Sequence, residues 1–139
     1  EGFPAPISKH LQSDYKPIFD KIIESRKLYV AAVHGSAAGI GAALALVCDF
    51  LIMSKSAKLS MIFSNIGLVP DGGATWLLEK ALGYRQALQL IVEGGKLSSD
   101  ECLKWGLANK VTEDNKLPEE ARKWAHLLAA RPPLAAAHR

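Results

Sequence analysis

Cysteine is scarce in this chain. Cys48 and Cys102 are the whole complement of 139 residues, far apart and in no CxxC pair. That excludes a disulfide framework and a cysteine zinc site, so no metal is expected. It also suits a reducing compartment, and the expected location is the cytoplasm. An excess of one charge is lacking too. The net charge is only +3, and no stretch gathers Lys and Arg on one face, so nucleic acid is not an expected partner. Long hydrophobic runs are missing. The most apolar stretch, residues 37–47, is about eleven residues, too short to cross a bilayer. Glu1 to Pro6 carry neither a basic n-region nor an apolar h-region. No signal peptide and no membrane partner are therefore expected. The seven Pro and eleven Gly are scattered, which excludes a fibrous repeat.

What remains is the composition of one globular domain. Hydrophobic residues make up 49% and charged residues 22%, which excludes a disordered tail. A chain of this length buries roughly 68% of its unfolded surface, enough for a true core. Ile7, Leu11, Tyr15, Ile18, Phe19, Ile22 and Ile23 recur at helical spacing. They predict an amphipathic helix over 8–26, with Pro17 a point of kinking. Residues 27–33 (KLYVAAV) and 48–54 (CDFLIMS) read as buried strands, and 58–63 as a third. A small-residue turn at 34–38 leads into a short apolar helix at 39–47. Only Asp49, Lys55 and Lys58 are charged between Leu28 and Pro70, so the core is centred there.

Helices follow at 72–82 and 84–93, closed by Gly83 and by Gly94-Gly95. Ser98 and Glu101 have capping-box spacing and open another helix that ends near Gly106. A short strand is expected at 107–111. A last helix runs from Pro118 to about Ala130, with Pro132-Pro133 as its stop.

The glycine turn at 35–41 (GSAAGIG) follows a strand and opens a helix. Its Gly35-x-x-x-Gly39-x-Gly41 spacing suits a dinucleotide pyrophosphate, as in an NAD(P)-dependent short-chain dehydrogenase. Three features oppose that. The next strand starts seven residues after Gly41, a full helix precedes the turn, and no Tyr-x-x-x-Lys exists. Tyr15, Tyr29 and Tyr84 are followed four residues later by Phe19, Val33 and Leu88. A second reading is that the glycines merely permit a tight turn. A third is an oxyanion hole: a helix N-terminus presents free N–H groups, and small neighbours admit a flat ligand.

Four segments together resemble the enoyl-CoA hydratase/isomerase (crotonase) family: KLYVAAVHGSAAGIGAALALVCDF, SAKLSMIFSNIGLVPDGGATWLL, YRQALQLIVEGG and LSSDECLKWGLANKV. The match is collinear over residues 27–112. The resemblance implies an α/β fold, a spiral of ββα units, assembled as a homotrimer or hexamer. It implies an acyl-CoA substrate and no cofactor beyond the CoA that the substrate carries. It places a helix (1–26) before the core (27–112) and the start of a C-terminal helical region after it (113–139). This chain would then match only the central part of a protein about twice as long. One enolate-stabilising donor falls on the Ile40 N–H, helped by Gly41, with Gly39, Phe63 and Trp76 around the substrate. The other donor is expected upstream of the first helix.

The two hydratase glutamates of the family fall at Ala43 and Phe63, so water addition is disfavoured. A small residue at 43, Phe at 63 and Pro-Asp-Gly-Gly at 70–73 are similar to the family's isomerases of aerobic phenylacetate degradation. Those act on ring-epoxidised phenylacetyl-CoA and shift double bonds in enoyl-CoAs. Asp71 then becomes the acid/base. It is equally an N-cap for the helix that follows. The alternative to an isomerase is a non-catalytic acyl-CoA-binding or partner subunit. His34 reads as a structural polar group, Asp49 as a tie between strands, and Ser64 and Asn65 as partners of the loop backbone. Trp76 reads as core or pocket wall, and Trp105 and Trp124 as packing. No base stands at diagnostic spacing from either cysteine, so a thiol nucleophile is not expected.

Overall fold

The computed structural model describes residues 7–131. Its repeating step is two strands followed by a helix. β1 (Val30–Val33) and β2 (Ser36–Ala38) precede α3 (Ile40–Val47), and β3 (Phe50–Ser54) and β4 (Lys58–Ser60) begin the next turn. β1 pairs with β3 and β2 with β4, both in parallel, so each turn adds one strand to each of two sheets. β6 (Lys110–Thr112) extends the first sheet in parallel on β3. β5 (Lys96–Ser98) closes the second, antiparallel to β4.

The small-residue segment after His34 is thus a strand and not a turn. Ser36, Ala37 and Ala38 lack branched side chains, and their pairing with β4 overrides their weak strand preference. β3 is buried on both faces, with Leu51, Ile52 and Met53 at 3% exposure or less, as its unbroken apolar run predicts. Asp49 ties strands as expected: its Oδ2 accepts the Tyr29 N–H at 2.8 Å.

The first helix contains a departure from regular geometry. Ile7–His10 (α1) and Lys16–Ile23 (α2) are joined by a π-helical turn, Leu11–Tyr15. The Lys16 N–H reaches back five residues to the Leu11 carbonyl. Pro17, which has no N–H to give to the helical ladder, directly follows the π turn, in the first turn of α2. Phe19 and Ile22 are buried against the body of the fold.

Between β4 and β5 the chain makes one excursion. It carries α4 (Ala74–Leu82) and α5 (Tyr84–Glu93) and returns at a neck where the Met61 N–H donates to the Gly95 carbonyl at 2.9 Å. α6 (Ser99–Lys104) opens on the predicted capping box, with Ser98 and Glu101 bonded reciprocally. α7 (Leu117–Ala129) packs Trp124 edge-on against Phe50, ring centroids 5.2 Å apart, under the Lys110 ammonium. The predicted stop at Pro132-Pro133 lies outside the described residues. Among the described residues no helix is long and apolar enough to cross a membrane.

Among these residues β1 and β2 are each paired on one edge only. Tyr84, Leu88 and Val92 form an exposed apolar stripe along α5, at 65%, 43% and 64% exposure. Open strand edges and apolar stripes drive association. This 139-residue chain, expressed alone, is expected to self-associate, as read by size-exclusion chromatography with light scattering. A monomer with a cooperative melt would contradict the expectation.

Candidate active site

The glycine turn ends at Gly39, with φ 55° and ψ −125°, a conformation closed to residues with a side chain. Its N–H donates to the Ser60 carbonyl at 3.1 Å, which fixes the turn to β4. Its carbonyl accepts from both Ala42 (3.0 Å) and Ala43 (3.1 Å), the first bonds of α3. The N–H groups of Ile40 and Gly41 come before those bonds and have no acceptor inside the helix. They emerge with the partial positive charge of the helix end. A Cβ built on Gly41 meets nothing within 4 Å, so this face is open. Behind the turn lies Phe63, 4% exposed, whose ring would stand 3.8 Å from a Cβ on Gly39.

The two glycines therefore have opposite signs. Gly39→Ala is expected to destabilise by about 1–3 kcal/mol through backbone strain. Gly41→Ala relieves a helical glycine and is expected to stabilise by roughly 0.5–1 kcal/mol. Thermal melts of the two variants check this, and equal shifts would contradict the geometry.

Asp71 does not cap the helix after it. The N-cap of α4 is Gly73, in the left-handed region, with no side-chain bond to the helix end. Gly72 and Gly73 both have positive φ (59° and 75°), and this double left-handed turn carries the Asp71 side chain away from the helix. Only the Asp71 carbonyl serves the helix start, accepting the Ala74 N–H at 3.0 Å. Its Oδ1 is buried with no hydrogen-bond partner among the described residues. Burial pushes the Asp71 pKa above the ordinary carboxylate value, against a smaller lowering by its own backbone N–H.

Gly72 brings Asp71 to α3. A Cβ there would lie 2.8 Å from the Ala43 Cβ and 3.0 Å from both Ile40 Cδ1 and the Phe19 ring. No side chain fits, so the loop backbone rests directly on the start of α3. Asp71 and Ile40 consequently line one cavity of about 390 Å³, walled by Leu11, Tyr15, Phe19 and Ile23. Asp20 lines it too, and accepts the Lys16 ammonium at 2.5 Å. A cavity of about 420 Å³ beside Leu28 and Leu128 is rimmed by Arg26, Lys27 and Arg131 and has no carboxylate in its wall.

The structure brings together Asp71 and Ile40, with Gly39, Gly41 and Phe63 beside them. Trp76 stays apart. It is 60% exposed, with the Lys80 ammonium 4.6 Å from its ring centroid, and is neither core nor part of the cavity wall. Ser64 and Asn65 bond one another at 3.5 Å, and Asn65 occupies the space a side chain at Gly94 would need. His34 is exposed. The Cys102 thiol is buried and pushed up to about 12, which suits packing and not nucleophilic attack. Sequence reasoning missed Gly72 and the first helix's share of the wall. Its signal for the first was the glycine pair after Asp71, and for the second the apolar residues at 11, 15, 19 and 23.

Two sheets that each gain one strand per ββα turn are the crotonase architecture. The family model described as enoyl-CoA hydratase/isomerase matches residues 6–138, and the chain belongs to that family. It is 38% identical over 130 residues to 1,2-epoxyphenylacetyl-CoA isomerase of Escherichia coli (strain K12), covering 93% of this chain and 50% of that protein. It is 35% identical over 117 residues to carnitinyl-CoA dehydratase of Salmonella typhi, covering 84% and 45%. The solved enoyl-CoA hydratase of Bacillus anthracis superposes with a TM-score of 0.90 at 29% identity, over 98% of this chain and 53% of that one. The chain spans about half the length of the relatives it matches. The names of these three refer to CoA thioesters and divide between isomerisation and the addition or removal of water.

Proposed function

We propose that the chain carries the reacting centre of an acyl-CoA isomerase. The observation that supports this best is the buried, unpartnered Asp71 carboxyl oxygen in the same cavity as the free end of α3. The thioester carbonyl oxygen lies on the Ile40 N–H, helped by Gly41. Asp71 takes a proton from the α- or γ-carbon, and the electron pair moves onto that oxygen as an enolate. The N–H groups and the helix end stabilise the developing charge. The enolate collapses, the double bond shifts, and protonated Asp71 returns the proton to the other carbon. Opening of a strained ring next to the same enolate follows from the same chemistry. The shuttle calls on no metal and no redox cofactor, and CoA arrives with the substrate. A homotrimer or hexamer is the assembly we expect.

Adding or removing water asks for a second group to hold and activate it. The positions the family uses carry Ala43 and Phe63, at 0% and 4% exposure, neither of them acidic. The cavity's other carboxylate, Asp20, is bonded to Lys16. The test is a rate panel on the protein bearing this chain, with 3-enoyl-CoA, 2-enoyl-CoA and ring-epoxidised phenylacetyl-CoA. Double-bond shift is expected to outrun hydration. Faster hydration of 2-enoyl-CoA than isomerisation of 3-enoyl-CoA would sink the reading, and inertness toward all three would favour the non-catalytic subunit.

A further inference from the structure

The π turn in the first helix has a geometric effect on the Asp71 cavity. Leu11 and Ile23 are twelve residues apart. A regular helix, at about 100° per residue, would place them about 120° apart around the axis. The wider π turn takes up one extra residue, which rotates the upstream residues back by about 100°. Leu11 and Ile23 then lie within about 20° of one another, on the face that also carries Phe19. All three line the cavity, and Leu11 is half-buried there. Phe19 is the residue against Gly72, beside Asp71. Leu11 lies eight residues further up the helix, on the order of 10 Å along its axis. The wall from Phe19 through Tyr15 to Leu11 thus runs from the reacting centre along the helix, ending in a branched apolar side chain.

We propose that Leu11, turned inward by the π turn, is the residue that limits the length of the acyl group in this pocket. The inference rests on the acyl-CoA reading above and adds the substrate class: acyl groups that extend along the helix and stop at Leu11. The wall itself argues for that occupant, because it is continuous with Asp71 and the end of α3 and consists largely of Leu11, Tyr15, Phe19, Ile23 and Ile40. Each further methylene that finds room is worth about fourfold in affinity, and each that meets Leu11 gains nothing.

The test measures dissociation constants by calorimetry for saturated acyl-CoAs, from butanoyl through octanoyl to dodecanoyl, on the protein bearing this chain. Saturated thioesters bind without turnover, so the result does not depend on which reaction is catalysed. Affinity is expected to rise with length and then level off. Leu11→Ala is expected to move the plateau to longer chains, improving the dodecanoyl-to-butanoyl ratio at least tenfold. Leu11→Trp is expected to move it to shorter ones. Asp14→Ala, exposed and outside the cavity wall, serves as the control and should keep the wild-type ratio. Tight binding with a ratio that neither Leu11 variant moves overturns the role of Leu11 and leaves the acyl-CoA reading intact. Failure of the wild type to bind any acyl-CoA overturns both.

Discussion

Asp71→Asn is expected to lower isomerase turnover by roughly 10²–10⁴-fold, the usual contribution of a general acid–base group. The melting temperature should hold or rise. Had Asp71 been the N-cap, even the good capping ability of Asn would have left stability tied to this position. The cap is Gly73, and among the described residues the Asp71 Oδ1 has no partner to lose. Deuterium uptake from solvent into the acyl chain should fall in parallel with turnover. Near-full turnover in the variant would remove Asp71 from the reaction.

The pH dependence follows from the same burial. The pKa of Asp71 is raised in the fold above its ordinary 3.8, so the native state holds this proton more tightly than the unfolded chain does. The stabilisation is fully present below the unfolded value and is lost as pH rises through the folded one. Asn cannot ionise. The stability difference between Asp71→Asn and wild type should therefore grow in favour of the variant as pH rises from 3.8 through the raised pKa. Turnover runs the other way, because the base must be ionised: the acid limb of the wild-type kcat/KM profile should lie above the ordinary aspartate value of 3.8. A limb at the ordinary value would mean that substrate meets a solvated carboxylate.

Gly72→Ala is expected to have the largest effect on the fold near the site. The new methyl would stand 2.8 Å from the Ala43 Cβ, an atom fixed by its own helix, and φ is +59°. Overpacking contributes about 1–3 kcal/mol and the left-handed backbone about 1–2 kcal/mol. The melting temperature should drop by roughly 10 °C. The loop can relieve the clash only by lifting off α3, which moves Asp71 away from the Ile40 N–H. A displacement of about 1 Å is enough to cost about 10²-fold in rate. Gly73→Ala is the comparison. It has positive φ but nothing within 4 Å of its Cβ, so it should lose stability from strain alone and keep far more turnover. Equal losses in turnover would show that conformation, and not close approach, is what Gly72 supplies.

The sequence made the long, strongly patterned elements readable. The apolar run of β3, the helix ends at Gly83 and Gly94, and the Ser98–Glu101 box stand where their chemistry puts them, whereas β1, read as buried, is a half-buried edge strand with Ala32 exposed. β2 was hidden because Ser36-Ala37-Ala38 carries no strand preference and exists only by pairing with β4. β5 was hidden because three residues cannot show a period. At the site, Ile40 and Asp71 could be named from the chain, but not their meeting. That depends on the missing Cβ of Gly72 against Ala43, a contact between residues far apart in sequence. The Asp71 cap was a reasonable expectation from residue type. It failed because two successive left-handed glycines separate the side chain from the helix start.

The neck at Met61 and Gly95 gives the proposed site a modular layout. The proposed enolate donors belong to α3, in the spiral itself, whereas the proposed base rides on the excursion that leaves and re-enters beside this backbone bond. Entry and exit are adjacent, so residues 62–94 form a cassette with ends already matched. Exchanging acid–base chemistry by replacing the cassette would have to keep Phe63, Ala74, Leu78, Ala87 and Leu90, which share one hydrophobic core with the spiral. Grafting a relative's cassette between Met61 and Gly95 would carry its base over the same helix end, with Gly72 as the foot that sets its height.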